Sequence, residues 1–281
     1  MKKKNRKEQY GNSKIGTNLR YYRNLKNFTK YVMKLSNLPI IKRFFLKFFD
    51  PENAMITPIP INKSLGTFEN QVLPFKVVEY FINKSSNIFL MNYCPCRKDN
   101  DCKEHDSLIG CTWMGRDVLR IKIPPERGYF ASKEEALERE RLAYENGLVP
   151  MLGRLREDSW LMGTLPDNGH FMTLCHCCPC CCVVSTAKYA TKLIRDIFQR
   201  MEGIKVNLNR VICTGCGQCL EVCIFDARKL IDGKAIIDQN KCLGCGRCEM
   251  KCPNEAITIT IEDSSCIDEL IARIGTFVDV A

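Results

Sequence analysis

Apolar positions recur along this chain at two different periods, and the change of period divides it into parts. From Leu19 through Tyr22, Leu25, Phe28, Val32 and Leu35 the step is three or four residues, which suits one face of a helix. Ile40, Ile41, Phe44, Phe45, Phe48 and Phe49 follow, interleaved with basic residues. Pro51 to Gly66, with Pro58 and Pro60, reads as an extended connector. Pro74 then suits the first turn of a helix over Phe75 to Asn83. Ile88 to Tyr93 is a short apolar run, expected to be a strand that delivers Cys94 to its end. Ser132 and Glu135 make a capping-box signature for a helix that Gly147 would stop, with Leu137 and Leu142 offered inward. A further helix is expected over Val183 to Met201, closed by Gly203. Beyond Lys205, Val206–Leu208 and Ala256–Ile261 are strand-like runs placed to pair at the ends of one module. Asp232-Gly233 between them is a hairpin signal.

Charge sharpens the first part. Residues 1–50 carry fourteen Lys or Arg against only Glu8 and Asp50, so the net charge of +10 belongs to this segment rather than to the rest. A basic amphipathic helix can dock on an acidic partner or lie on an anionic membrane surface. The plainer expectation is a stripe packed on its own body with the lysines solvated. Nucleic acid is not favoured, because no recognised nucleic-acid motif accompanies the arm. No run of about 18 apolar residues exists to span a membrane, and no apolar leader stretch follows Met1-Lys2-Lys3-Lys4. A cytoplasmic, reducing location is expected, with membrane association through the arm as an option.

Nineteen cysteines then dominate the candidate chemistry. Eight form two copies of one spacing: Cys213, Cys216, Cys219, Cys223 and, 29 residues on, Cys242, Cys245, Cys248, Cys252. That spacing is the bacterial pattern for paired cubane clusters, in which the fourth cysteine of each run ligates the other cluster. Cys213, Cys216, Cys219 and Cys252 are therefore expected to hold one [4Fe-4S] cluster. Cys242, Cys245, Cys248 and Cys223 are expected to hold a second. A disulfide framework fits poorly, since such frameworks belong to small secreted domains.

Ten further cysteines lie upstream: Cys94, Cys96, Cys102 and Cys111, and the tract Cys175, Cys177, Cys178, Cys180, Cys181 and Cys182. Structural zinc usually takes pairs spaced C-x2–4-C, and the loose first set selects no metal by itself. The favoured arrangement is a third [4Fe-4S] cluster on Cys94, Cys96, Cys102 and Cys111. Its rival is mixed ligation, with the Cys94–Cys96 pair and part of the tract folded around one or two clusters. Arg97 is a candidate donor to cluster sulfur, or a surface ion pair. His176, inside the tract, is expected to point away unligated, and His105 and His170 read as loop residues. Cys266 reads as an ordinary buried thiol.

From about Phe49 to Glu262 the chain resembles a family of archaeal and anaerobic bacterial iron–sulfur proteins described as four-iron ferredoxin-domain proteins. The resemblance rests on Val72-Leu73-Pro74-Phe75, Cys94-Pro95-Cys96-Arg97, Cys102, Cys111, Lys133-Glu134-Glu135-Ala136-Leu137, the Cys175–Cys182 tract and the two repeats. It implies an anaerobic electron carrier or electron-entry subunit. Ile224 follows Cys223 where the family pattern has Pro, which puts the local turn in question.

The expected fold class is α+β: an N-terminal helical arm and connector (1–66), an α/β cysteine-rich domain (67–204), a ferredoxin-like dicluster domain with a pseudo-two-fold repeat (205–262) and a C-terminal helix or tail (263–281). The leading functional expectation is single-electron relay through two to four [4Fe-4S] clusters to or from a redox enzyme partner. The alternative is a reductase or reductive activator with an unusual cluster in the Cys94–Cys182 region. No dinucleotide fingerprint or P-loop accompanies either.

Overall fold

The computed structural model of the chain describes residues 25–61, 74–261 and 265–281. The expected helix positions Leu19 and Tyr22 and the Val72-Leu73 motif lie outside these residues.

Two basic helices, α1 (Leu25–Leu35) and α2 (Pro39–Phe49), open the described chain. Met33 and Phe49 join Ala54, Ala190, Ile194 and Ile197 in a small core, so the apolar stripe packs on the protein's own body. Phe45 stacks on Phe49 at 5.9 Å, and Phe48 meets Trp160 edge-on at 5.7 Å. Phe28, Tyr31, Ile40 and Phe44 stay exposed.

The connector does more than connect: Met55–Pro58 forms strand β1. It is an edge strand, which is where a proline's missing N–H is tolerated. Its partners are β2 (Ile88–Met91), β3 (Thr112–Met114), β4 (Gly128–Phe130), β5 (Val149–Arg154) and β6 (Met172–Cys177). The order is β1-β5-β6-β3-β2-β4, with every neighbouring pair antiparallel. Helices α3 (Pro74–Lys84), α4 (Pro95–Asp99), α5 (Lys133–Glu145) and α6 (Arg156–Leu161) interleave with the strands. The α5 capping box forms as expected, with Ser132 Oγ accepting from the Glu135 N–H and the Glu135 carboxylate accepting from the Ser132 N–H. Its inward residues are Ala136, Glu140 and Ala143, while Leu142 is exposed.

The expected long helix over Val183–Met201 is absent. A 3-10 turn, Val183–Tyr189, gives way to one short turn of helix, α7 (Lys192–Arg195). Ser185 Oγ and Thr186 Oγ1 donate back to the carbonyls of Cys182 and Val183, the competition that makes such residues poor α-helix interiors.

In the last part β7 (Ile204–Leu208) pairs antiparallel with β10 (Ile257–Ile261), placing Val206 opposite Ile259. Between them run α8 (Gln218–Glu221), the hairpin β8 (Arg228–Ile231) and β9 (Lys234–Ile237), and α9 (Arg247–Lys251). Asp232 and Gly233 both take positive φ (52° and 70°), as a tight primed turn requires. Helix α10 (Ser265–Phe277) runs back against α3 and buries Cys266, Leu270 and Ile274. One apolar core is therefore continuous from Val77, Phe81 and Leu90 to Val206, Ile259 and Ile274. The fold is α+β, and its core fixes the cysteine repeats against the sheet.

Candidate metal centre

All nineteen cysteines are free of disulfide bonds. The two repeats surround two cavities of nearly equal size. Cys213, Cys216, Cys219 and Cys252 line one of about 20 Å³. Cys223, Cys242, Cys245 and Cys248 line the other, also of about 20 Å³. The tertiary structure thus exchanges the fourth cysteine between the repeats.

The backbone repeats at the same offset. Gly215 and Gly217 match Gly244 and Gly246, all four at positive φ. Positive φ is a conformation only glycine takes cheaply. The Ala227 N–H donates to Cys223 Sγ (3.3 Å) as the Ala256 N–H does to Cys252 Sγ (3.2 Å). Asp226 and Glu255, one residue earlier, share φ near 55° (56° and 53°). The turn after Cys223 is therefore built like the one after Cys252, although Ile224 stands where the other has Pro253.

Arg228 and Arg247, both buried, line the second cavity. Arg228 Nη2 donates to Cys248 Sγ at 2.7 Å, yet Nε and Nη1 of both arginines are buried without a hydrogen-bond partner. Orphaned buried donors beside four sulfurs fit an anionic, sulfur-rich group there, because an unpaired buried donor is costly. Burial pushes the Cys248 thiol up to about 12, and raises Cys245 and Cys219 as well. Cys213 shifts the other way, because the N–H groups of Ala235 and Gly215 favour its thiolate. Sequence reading overlooked both arginines, since nothing in the spacing shows that their side chains turn inward.

The ten upstream cysteines form two groups, and the division differs from the favoured expectation. Cys94, Cys96, Cys102 and Cys111 do not share one site. Cys102 joins Cys178, Cys180 and Cys181, whose sulfurs all lie within 4.8 Å of one another. The others meet around β6. Register sets Thr112 opposite Leu174, so the preceding Cys111 lies beside Cys175, sulfur to sulfur at 3.3 Å. Strand alternation turns Cys175 and Cys177 to one side and His176 to the other. The turn after β6 then returns Cys182 to Cys177, 3.1 Å between sulfurs. Cys94 caps α4 and Cys96 lies in its first turn. Hydrogen bonds with Cys177 and Cys96 hold Cys182 well below the usual thiol range, helped by the Arg247 charge. The hydrogen bond from Cys96, with the Arg97 charge, brings Cys94 down to about 7 against its burial. Cys96, Cys175 and Cys177 are pushed far up, first by hydrogen bonding to Cys182 (Cys96 and Cys177) or Cys111 (Cys175) and then by burial.

Arg97 is 0% exposed, so it makes no surface ion pair. Nor does it donate to sulfur: its hydrogen bonds go to the carbonyls of Asp106 (2.8 Å), His176 (2.6 Å) and Ile109. It ties α4, the 102–111 loop and β6 together. Burial opposes its charge, and the sulfurs of Cys94, Cys178, Cys111 and Cys182 outweigh that and raise its pKa. His176 is held on the far side by the Gly110 carbonyl (2.8 Å) and by Glu140 Oε1 (2.6 Å), with no sulfur partner. Two acids went unremarked in the sequence: desolvation pushes Asp158, which accepts from Thr173 Oγ1, up to about 6, and raises Glu157 well above the carboxylate range.

Spacing, cavities and inward basic side chains define an iron–sulfur protein. A model of the 4Fe-4S binding domain family matches residues 235–258, which span the second repeat's four cysteines. No curated protein matches the chain.

Proposed function

We propose that this protein is an electron carrier or electron-entry subunit working under anaerobic conditions. It relays single electrons through two [4Fe-4S] clusters in a ferredoxin-like C-terminal module and a further cluster among the upstream cysteines. The observation that carries this reading is the pair of matched four-cysteine cavities with the fourth ligand exchanged. Cys213, Cys216, Cys219 and Cys252 hold one cluster; Cys223, Cys242, Cys245 and Cys248 hold the other. When bound, such clusters supply one-electron chemistry, and the chain's part is to fix and tune them. Arg228 and Arg247 stabilise negative charge at the second site, and backbone N–H groups do so at both.

The upstream six, Cys94, Cys96, Cys111, Cys175, Cys177 and Cys182, hold a further cluster that is not a simple cubane, since Cys111–Cys175 at 3.3 Å and Cys177–Cys182 at 3.1 Å stand too close for thiolates on separate irons. Cys245 packs against the core that contains Cys177 and Cys182, so this centre adjoins the second repeat. A groove lined by Lys188, Lys192, Arg195 and Lys241, against Asp196 and Asp226, reaches Phe225 and Leu243, which also wall the second cavity. An acidic redox partner docks there, with the exposed Ile40 and Phe44 and the basic face of α2 as a second contact.

A second reading is favoured by one observation: the upstream centre gathers six thiols where a cubane uses four. That surplus suits a reductase or reductive activator with an unusual cluster.

Iron and acid-labile sulfide in anaerobically purified protein, with EPR of the reduced state, test both. Two interacting cubane signals are expected, and both should disappear in Cys213→Ser plus Cys242→Ser. Iron without labile sulfide would sink the electron-carrier reading. An upstream signal indifferent to every added small molecule would sink the reductase reading.

A further inference from the structure

The quartet Cys102, Cys178, Cys180 and Cys181 differs in kind from the two repeats. Its four sulfurs lie within 4.8 Å of one another, and Cys102 and Cys180 approach to 3.4 Å. Four thiolates on one tetrahedral ion, with arms of about 2.3 Å, stand about 3.8 Å apart. A cubane carries its four thiolates on four separate irons and must hold them wider.

The local chain agrees. Cys178 and Cys181 have a C-x2-C spacing, which mononuclear sites share with the cluster repeats, and the Cys181 N–H donates to Cys178 Sγ at 3.3 Å, closing a chelating turn. Pro179 sits within that turn. Cys102 arrives from another segment, where Asp101 takes positive φ (48°) and the Cys102 N–H donates to the Arg97 carbonyl (3.0 Å). Cys180 opens onto a groove lined by Glu104, Pro179 and Cys216, which supplies an entry path for an ion. Glu104 and His105 also stand within ligand reach of Cys180, and with His105 Nδ1 engaged by the Asn146 carbonyl (2.9 Å) only its Nε2 is left to ligate.

We infer that Cys102, Cys178, Cys180 and Cys181 bind a single thiophilic divalent ion, zinc or ferrous iron, as a tetrathiolate site separate from the clusters. On binding, four thiols give up their protons and form four metal–sulfur bonds. The site staples the 95–111 segment to the turn after β6, and so fixes the rim of the six-thiol centre. This inference does not depend on how many clusters the protein holds.

Metal and labile-sulfide analysis of the full chain, purified anaerobically, compared with Cys102→Ser and Cys181→Ser, tests it. Each variant should lose about one equivalent of zinc or iron with sulfide unchanged. Loss of about four irons together with about four sulfides would reveal a cubane instead and overturn the inference, as would no loss of metal. Should the variants fail to fold, wild-type protein produced with cobalt decides the matter. Tetrahedral tetrathiolate absorption is expected, and its absence overturns the site. Absence of labile sulfide from the wild type would sink the cluster reading alone.

Discussion

Arg247 donates from Nη2 to the backbone carbonyl of Cys177, joining the second cysteine repeat to the strand that carries the upstream thiols. Each residue lies in a separate cysteine-rich segment, and the bond crosses the seam between them. Cys245 packs on the same seam, and the Ile61 N–H donates to the Cys245 carbonyl at 3.2 Å.

Replacing Arg247 by Met leaves the Cys177 carbonyl without its donor in a buried place. A loss of about 1–3 kcal/mol in stability is expected, the usual cost of a buried group left unpaired. Anaerobic denaturant unfolding of variant and parent measures it, and an unchanged midpoint would show that the seam does not depend on this bond.

Arg228 acts on the second cavity itself through Cys248 Sγ. Arg228→Met removes a charged donor to a ligand sulfur, so the reduced, more negative state loses more than the oxidised one. The midpoint potential of that cluster should fall by about 40 mV, roughly 1 kcal/mol for one electron. A redox titration followed by EPR reads it, with the other cluster as internal control.

The His176–Glu140 pair is buried on the far side of β6 from Cys175 and Cys177. Both imidazole nitrogens face oxygen atoms, the Gly110 carbonyl and Glu140 Oε1. Glu140→Leu should cost about 1–3 kcal/mol by leaving a buried ring nitrogen without its partner, and Glu140→Gln less. Iron content should be unchanged in both. Iron lost in the still-folded Gln variant would instead place His176 in the metal chemistry.

Desolvation pushes Asp158 up to about 6, above its value of about 3.9 in the unfolded chain. Between those two values the folded state holds more protons than the unfolded one. Stability therefore falls as pH rises through that window and is lowest above it. Asp158→Asn should flatten the slope and be more stable than the parent near pH 7, by up to about 3 kcal/mol. Unfolding midpoints from about pH 5 to 8 decide this, and parallel pH profiles would refute it.

Much of the molecule was legible in the residues. The repeat spacing already separated the two cysteine sets that line the two cavities, because it is the pattern in which the fourth cysteine of each run joins the other set. The Ser132–Glu135 cap, the Asp232–Gly233 turn and the Val206–Ile259 pairing followed from local chemistry that acts over a few residues. The division of the upstream cysteines did not. Cys111 meets Cys175 through sheet register, Cys182 meets Cys177 through a reversed turn, and Cys102 reaches Cys180 across 78 residues. Arg97, Arg228 and Arg247 look like surface residues in sequence and are buried only because sulfur and carbonyl partners converge on them. Sequence alone thus determined that the chain carries two cysteine repeats of one cluster-type spacing, since that information lies in spacing. Tertiary structure decided which distant thiols share a site and which cations face them, because those contacts depend on register and packing that no local pattern encodes.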